Sequence, residues 1–582
     1  MTYDAKKVEI GRESLTVVEM DLGFCSLTYG VSPCTASGSA GEECFNTRFT
    51  CQDPDNYADS VKTYRYCQQR SNLPVGVAMV PSIIGDVARA PTTTTGGKGL
   101  GKRAVVKVQF KDHAWHDRDL DPYHATRSYT PEQTGTYWGK WIARNPYFEG
   151  RELRVLTGFI SSPFSWDDFQ TEYYDITEAK GPSAGGFEVT AKDALTRTYK
   201  DKVTYPVSSD GVLDANITAA ATSATLSPAG IGNSDYPASG YVSMGKEIAG
   251  FTRSADVLTL TRAEWGTTAD SHSADDTVQI CAAWESEHPL DVLEELLVTG
   301  AGIPASFIPN GVGENWTTER DIWMTTALLT GILSKPEQID KVIAEISECF
   351  RFDIWWEATA QTINIKSIAP DASGVTPATL NDLGGIVENS VRIKKDSKQR
   401  VSEVRVYYNK LDYSEKSEPK EFRSLFVSTD PNSAGSTRYG SENIREIFCR
   451  WFNDAGQAIT LATRTIERYV ETPSVVTFEV DLKDNDSIPM AQRVRLDTRH
   501  IQGPTGENAN SLFQVTEVVE IKAGSRIRVK GLTSFYSGRF WFIAPDTVPD
   551  YSSATAEERG RFGFVCYDTN VFLDGEEAYK II

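Results

Sequence analysis

The 582-residue chain reads as α+β, predominantly β, and multidomain. Three observations predict this. Strand-period alternation recurs along the whole length, in AVVKVQF (104–110), RELRVLTGF (151–159), FEVTAKDAL (187–195), VSEVRVYYN (401–409) and SVVTFEVDL (474–482). Helical periodicity is confined to a few stretches between 289 and 470. The length allows about three to five domains with real cores.

Composition narrows the function classes. Hydrophobic residues make up 40% and charged residues 24%, ordinary for a globular chain. The net charge of -21, from 59 basic against 80 acidic residues, argues against nucleic acid or an anionic membrane as the main partner. The start, MTYDAKKVEIGRESL, has no apolar signal core, and no uncharged apolar run approaches a membrane span. A soluble protein made in a reducing cytoplasm is expected, with no transmembrane segment.

In chain order, residues 1–70 form a cysteine-rich segment and 71–205 a first β domain. Trp138, Trp141, Tyr147 and Phe148 are assigned to core and rim. Residues 206–283 turn to Ala, Ser, Thr and Gly, with short strands at Tyr241–Met244, Glu247–Thr252 and Val257–Thr261. This predicts a small inserted β module. Residues 284–372 form an α+β piece. PLDVLEELLVTG (289–300) has Pro at its start and Gly at its end. Ser334 and Glu337 form a capping box ahead of Ile339, Val342, Ile343 and Ile346. FRFDIWWEA (350–358) and TINIKSI (362–368) make a hairpin. Residues 373–535 form a second β domain, with helices expected over 441–453 and 457–470. Residues 536–582 read as a C-terminal tail.

Five of the nine cysteines fall between 25 and 67, separated by eight, nine, six and fifteen residues rich in turn formers. Such thiols can converge. A metal or iron–sulfur centre, buried free thiols and disulfides remain open as readings, and a reducing compartment favours the first. Cys281, Cys349, Cys449 and Cys566 sit in apolar contexts and read as core.

Catalytic motifs fail on chemistry. Gly96–Arg103 nearly spells a phosphate loop, but Arg103 stands where Ser or Thr would bind magnesium, and a strand follows. His113 and His116, amid Asp112, Asp117, Asp119 and Asp121, lack the spacing of a zinc or calcium site. No Gly-x-Ser-x-Gly joins a strand to a helix. No enzyme is expected.

Certain stretches resemble the tail-tip or baseplate hub proteins of long non-contractile-tailed bacteriophages. They are Phe24–Cys34, Cys44–Arg48, Cys51–Pro54, Leu120–Tyr123, Gly135–Tyr147 and the Asp574–Ile582 ending. The resemblance implies a structural virion protein, a multidomain hub with β-barrel-like domains, an inserted β module and helical insertions. It is related in role to the lambda-type minor tail protein L and the gene-transfer-agent hub. Those relatives imply an iron–sulfur cluster, [4Fe-4S], on Cys25, Cys34, Cys44 and Cys51. Cys67 is an alternate ligand and zinc an alternate metal. The resemblance also implies a homotrimer ring at the distal end of the tail, assembled in the host bacterial cytoplasm. Its partners would be the distal tail protein, a central fibre or receptor-binding protein, and the tape-measure C-terminus, with no specific nucleic-acid binding. The rival readings are a host-surface adhesin acting through 206–283 and a cell-wall-degrading tail enzyme.

Overall fold

The computed structural model describes residues 3–534 except 10, 38–42, 71, 98–99, 200–202, 370–375, 431–438, 440 and 484–487. Past 534 it describes only isolated positions. The expected tail 536–582, with Cys566 and the Asp574–Ile582 ending, therefore lies outside the described residues.

The first sheet contains β1 (Ser14–Cys25), β2 (Asp59–Gln68), β3 (Val80–Ile83), β4 (Ala88–Ala90), β5 (Val105–Lys111), β6 (Glu152–Phe159), β7 (Phe169–Ser183) and β8 (Gly186–Lys192). The order is β3-β2-β1-β6-β7-β8-β5-β4. Ile83 also pairs with Phe110, so seven of the strands close into a barrel. Alternation decides which side chains go inside. Along β5, Val106, Val108 and Phe110 are buried while Lys107, Gln109 and Lys111 are exposed. The short helix Tyr137–Arg144 starts where the Thr136 hydroxyl accepts from the Gly139 amide. It delivers Tyr137, Trp138 and Trp141, all fully buried, to the barrel core. Trp138 stacks on Phe187 with centroids 4.5 Å apart. The barrel is thus filled by side chains and is not a channel. The boundary expected between 70 and 71 falls inside this one sheet.

The second sheet is the inserted module. Its seven strands run in the order Val212–Leu213, Ser223–Ser227, Val257–Thr261, Glu247–Ser254, Ser239–Met244, Val278–Glu287, Leu329–Leu333. Leu213, Leu226, Val242, Met244, Phe251 and Leu258 give it a core of its own. The strand Val278–Glu287 runs four residues past the expected 206–283 limits, and Leu329–Leu333, wholly outside them, ties the module to the body.

The largest core unites the pieces on either side of residue 373. Helix Pro289–Glu295, helix Ile339–Phe350, the hairpin Phe352–Glu357/Thr362–Ser367 and helix Ala455–Tyr469 all contribute. So does a three-stranded sheet with Glu403–Lys410 between Phe422–Thr429 and Ile444–Phe448. Two local expectations give way here. The stretch 441–453 holds a strand, Ile444–Phe448, parallel to Glu403–Lys410, because pairing with a ready sheet edge outweighs weak helical spacing. The Ser334–Glu337 box caps nothing. Glu337 and Gln338 instead pair with Thr204–Tyr205, the helix begins at Ile339, and the Glu337 carboxylate binds Arg450 at 2.6 Å. A six-stranded sheet made from segments of 378–533 completes the described chain.

The glycine run around 96 sits where these bodies meet. The Gly97 amide donates to Asp353 at 3.1 Å, and the Tyr469 hydroxyl donates to the Gly96 carbonyl at 2.8 Å. Gly97 has a φ of 76°, and a Cβ there would lie 2.8 Å from Ile368. Its glycine serves a close junction between domains.

Candidate metal centre

The four nominated cysteines come together. Cys25 closes β1, and Cys34, Cys44 and Cys51 lie on the 26–58 loop that returns the chain to β2. All four line one small pocket. None is disulfide-bonded. Burial pushes the Cys44 thiol up. The neighbouring Cys51, Cys25 and Cys34 push the same way, against the amide of Asn46. Among the described residues, no three His, Cys, Asp or Glu side chains stand close enough to hold a single metal ion.

Cys67 lies elsewhere. It is fully buried in β2 opposite Val17, packed with Leu15, Leu156 and Phe169. Val17 is eight residues back along β1 from Cys25, on the order of 27 Å at the usual strand rise. Burial raises the Cys67 thiol to about 11, against the pull of Arg70. It is a packed, protonated thiol remote from the pocket. Cys281, Cys349 and Cys449 are likewise buried.

The loop is fastened by residues that carry no metal-ligand signal. Asn46 is the central one. Its Nδ2 donates to the carbonyls of Cys25 (2.9 Å) and Leu27 (3.0 Å), and its Oδ1 accepts from the Tyr123 hydroxyl at 2.9 Å. The Cys25 amide donates to the Asn46 carbonyl at 2.7 Å. The Asn46 amide points at Cys44 Sγ, 3.4 Å away. Its φ of 57° lies in the left-handed region, which Asn tolerates better than most residues. From the other side, Tyr123 also accepts from the Tyr29 amide at 2.7 Å, and Arg127 donates to the Cys44 carbonyl at 2.6 Å. Arg144 and Arg127 lie 3.9 and 4.4 Å from the Phe45 ring centroid. Asp121 anchors Arg127 at 2.7 Å, and Asp117 anchors Lys140 at 2.5 Å and Arg144 at 3.1 Å. Of the aspartates around His116, Asp117 and Asp121 are therefore ion-pair partners for this clamp, while Asp112 accepts from the Trp138 amide and Asp119 from the Trp115 indole. Only the local Asp121–Arg127 spacing hinted at it in the sequence.

The donor set suits an iron–sulfur cluster. Four thiols surround one space, backbone amide is offered to sulfur, and two buried donors in the pocket wall, Gln52 Nε2 and Tyr57 Oη, lack a partner among the described residues.

Neither a family model nor a curated protein sequence matches the chain. Among solved structures it is similar to the 43 kDa tail protein of prophage MuSo2 from Shewanella oneidensis. That match has 9% identity and a TM-score of 0.34, covering 77% of this chain and 95% of that one. It is also similar to the prophage tail protein gp18 from Listeria monocytogenes EGD-e, at 9% identity and a TM-score of 0.29, covering 67% and 87%. A third similarity is to a chain of the virion of a native gene transfer agent, at 11% identity and a TM-score of 0.28, covering 50% and 68%.

Proposed function

We propose that this chain is a structural virion protein, a hub at the distal tip of a bacteriophage tail, and that Cys25, Cys34, Cys44 and Cys51 hold an iron–sulfur cluster within it. The observation that carries the reading is spatial. The cysteine stretches and the stretches Leu120–Tyr123 and Gly135–Tyr147, all picked out in the sequence by their resemblance to hub proteins, meet beside one four-thiol pocket, through Tyr123 on Asn46 and Arg144 on the Phe45 ring.

A [4Fe-4S] cluster is the proposed centre, with zinc as the alternative. Thiolates on a single zinc must each approach to about 2.3 Å, whereas in a cube each binds a different iron and they stand further apart. When bound, the cluster supplies metal–thiolate bonds that cross-link the 26–58 loop, a segment with little apolar burial of its own. Its role is to hold shape.

In this reading three copies form a ring that closes the tail tube. The ring joins the distal tail protein to a central fibre or receptor-binding protein and retains the tape-measure C-terminus. The first barrel is packed solid, so a lumen lies between copies. A net charge of -21 then keeps passing DNA from adhering. The 206–283 module supports a second role, adhesion to the host surface, because it has a separate core and stands as a self-contained insertion.

The test is anaerobic purification followed by iron, zinc and acid-labile sulfide analysis, with an electron cryo-microscopy map of the assembled particle. Iron and sulfide in equal amounts, and the chain at the tail tip, are expected. A map with the four sulfurs scattered or paired in disulfides removes the cluster. A protein that clears peptidoglycan in zymography removes the purely structural role.

A further inference from the structure

Two hydrogen-bond donors in the wall of the cysteine pocket have nothing in the described protein to donate to. The Tyr57 hydroxyl and the Gln52 Nε2 amide are both shut off from solvent and unpartnered among the described residues. Both side chains line the same pocket as the four thiols. Neither hangs loose. The Gln52 carbonyl oxygen accepts from the Tyr29 hydroxyl at 2.9 Å, which fixes the amide and leaves its N–H groups unused. The Arg48 guanidinium lies 4.8 Å from the centroid of the Tyr57 ring. Burial raises the Tyr57 phenol to about 12, and neighbouring Asp59, Cys25 and Cys51 add to that shift. The hydroxyl therefore keeps its proton at neutral pH and lies within electrostatic reach of two of the four thiols. Buried donors are nearly always satisfied in folded proteins, so two orphans on residues that line one pocket point to an acceptor that belongs there.

We propose that Tyr57 and Gln52 donate hydrogen bonds to the sulfur atoms of the cluster held by Cys25, Cys34, Cys44 and Cys51, and so set its reduction potential. This rests on the cluster reading above. Adding an electron increases the negative charge on the sulfurs, so donors aimed at them stabilise the reduced form more than the oxidised form and raise the potential. The Asn46 amide on Cys44 Sγ acts in the same sense. The two side chains are positioning residues for the centre and form no bond to iron.

The experiment compares the full-length wild type with Tyr57→Phe and Gln52→Leu, all purified anaerobically. It reads iron and acid-labile sulfide per chain, the midpoint potential by spectroelectrochemical titration, and the melting temperature of each protein after iron removal. Tyr57→Phe keeps the ring and its contact with Arg48. It is expected to retain wild-type iron and to shift the reduction equilibrium about tenfold toward the oxidised form, about 59 mV for a one-electron couple. Gln52→Leu is expected to shift it in the same direction. Full iron loading with an unchanged potential in both variants overturns the proposal and leaves the cluster standing. Wild-type protein without iron or sulfide overturns the cluster reading, and the proposal with it. Should Tyr57→Phe lose iron, the iron-free proteins decide. Equal melting temperatures support the hydroxyl as a partner of the cluster, and a lower one in the variant makes it a fold contact and overturns the proposal.

Discussion

Replacing Asn46 by Ala should loosen the cysteine loop while leaving the barrel intact. The side chain donates to Cys25 O and Leu27 O and accepts from the Tyr123 hydroxyl, three hydrogen bonds of ordinary length, and its Oδ1 also accepts a weaker one from the Cys44 thiol at 3.5 Å; the residue is 6% exposed. At about 1 kcal/mol net for each bond, their loss costs about 3 kcal/mol. Ala in the left-handed region costs about a further 1 kcal/mol. Water entering the loosened loop rehydrates part of what is exposed, so about 3 kcal/mol is the working figure. That corresponds to about a hundredfold in the local opening equilibrium. Amide hydrogen exchange on iron-free protein reads it directly. The Cys25 and Ser26 amides, which donate to Asn46 O and Ala58 O, should exchange about a hundredfold faster. The amides joining β5 to β8 should be unchanged. Asn46→Gly separates the two contributions, since Gly accepts the backbone angle without strain, and should recover about 1 kcal/mol. Unchanged exchange at Cys25 and Ser26 in Asn46→Ala, or equal acceleration throughout the barrel, would refute the assignment of Asn46 as the loop's fastening point.

Serine at Cys25, Cys34, Cys44 or Cys51 should each lower bound iron and tail assembly. Cys67→Ser should keep the iron and lower stability by about 1–3 kcal/mol, the usual cost of burying an unpaired hydroxyl; elemental analysis and thermal melts check both. Trp138→Ala should destabilise the first barrel by about 3–5 kcal/mol, since the fully buried ring packs on Phe187 and Phe110, as denaturant unfolding would show. In the inserted module, burial would raise the Glu247 carboxyl, but Arg262, the Asp270 amide and His272 outweigh it and hold it down to about 2. A depressed acid contributes stability that is fully present above its unfolded value near 4.5 and is lost as pH falls toward 2. The module's melting temperature should therefore drop between about pH 4.5 and pH 2, and Glu247→Gln should be less stable at neutral pH with that acid slope removed. Splicing out 212–277 is feasible because the Val278 amide already bonds the Gly211 carbonyl at 3.0 Å. The shortened chain should still assemble into tails, whereas loss of assembly would place the module in the ring.

Much of the architecture was legible because it rests on local alternation. The strands at 105–111, 152–159, 403–410 and 474–481 match the alternating stretches to within two residues at each end, since a half-buried strand needs a two-residue period. Helix Ala455–Tyr469 showed itself in the same way at the helical period. What failed depended on distant partners. Nothing near Ile444 announces Glu403–Lys410 as a parallel neighbour, and nothing near Glu337 announces Arg450 or Thr204. Closure of the first barrel rests on Ile83 meeting Phe110, a contact no window of sequence contains. The spacing of the cysteines showed that thiols could converge. It could not sort Cys67 from the other four, because that depends on where β2 places it along β1.

The clamp around the cysteines accounts for the distribution of the recognisable residues. A 26–58 loop built from Gly, Ser, Thr, Asn and Pro buries too little apolar surface to offset the entropy of ordering it. It needs fastening from outside, and the fastening comes from 117–144: Tyr123 on Asn46, Arg127 on Cys44, Arg127 and Arg144 about Phe45. That segment is held in turn by the buried Trp138 and Trp141 of the barrel core and by Asp117 and Asp121. A change at either stretch would loosen the other, although some 80 residues of chain separate Asn46 from Tyr123 and Cys44 from Arg127 (the hydrogen bonds span 77 and 83 positions). Two separate sequence signatures thus belong to one structural device, which brings four thiols and two unused donors to a single pocket.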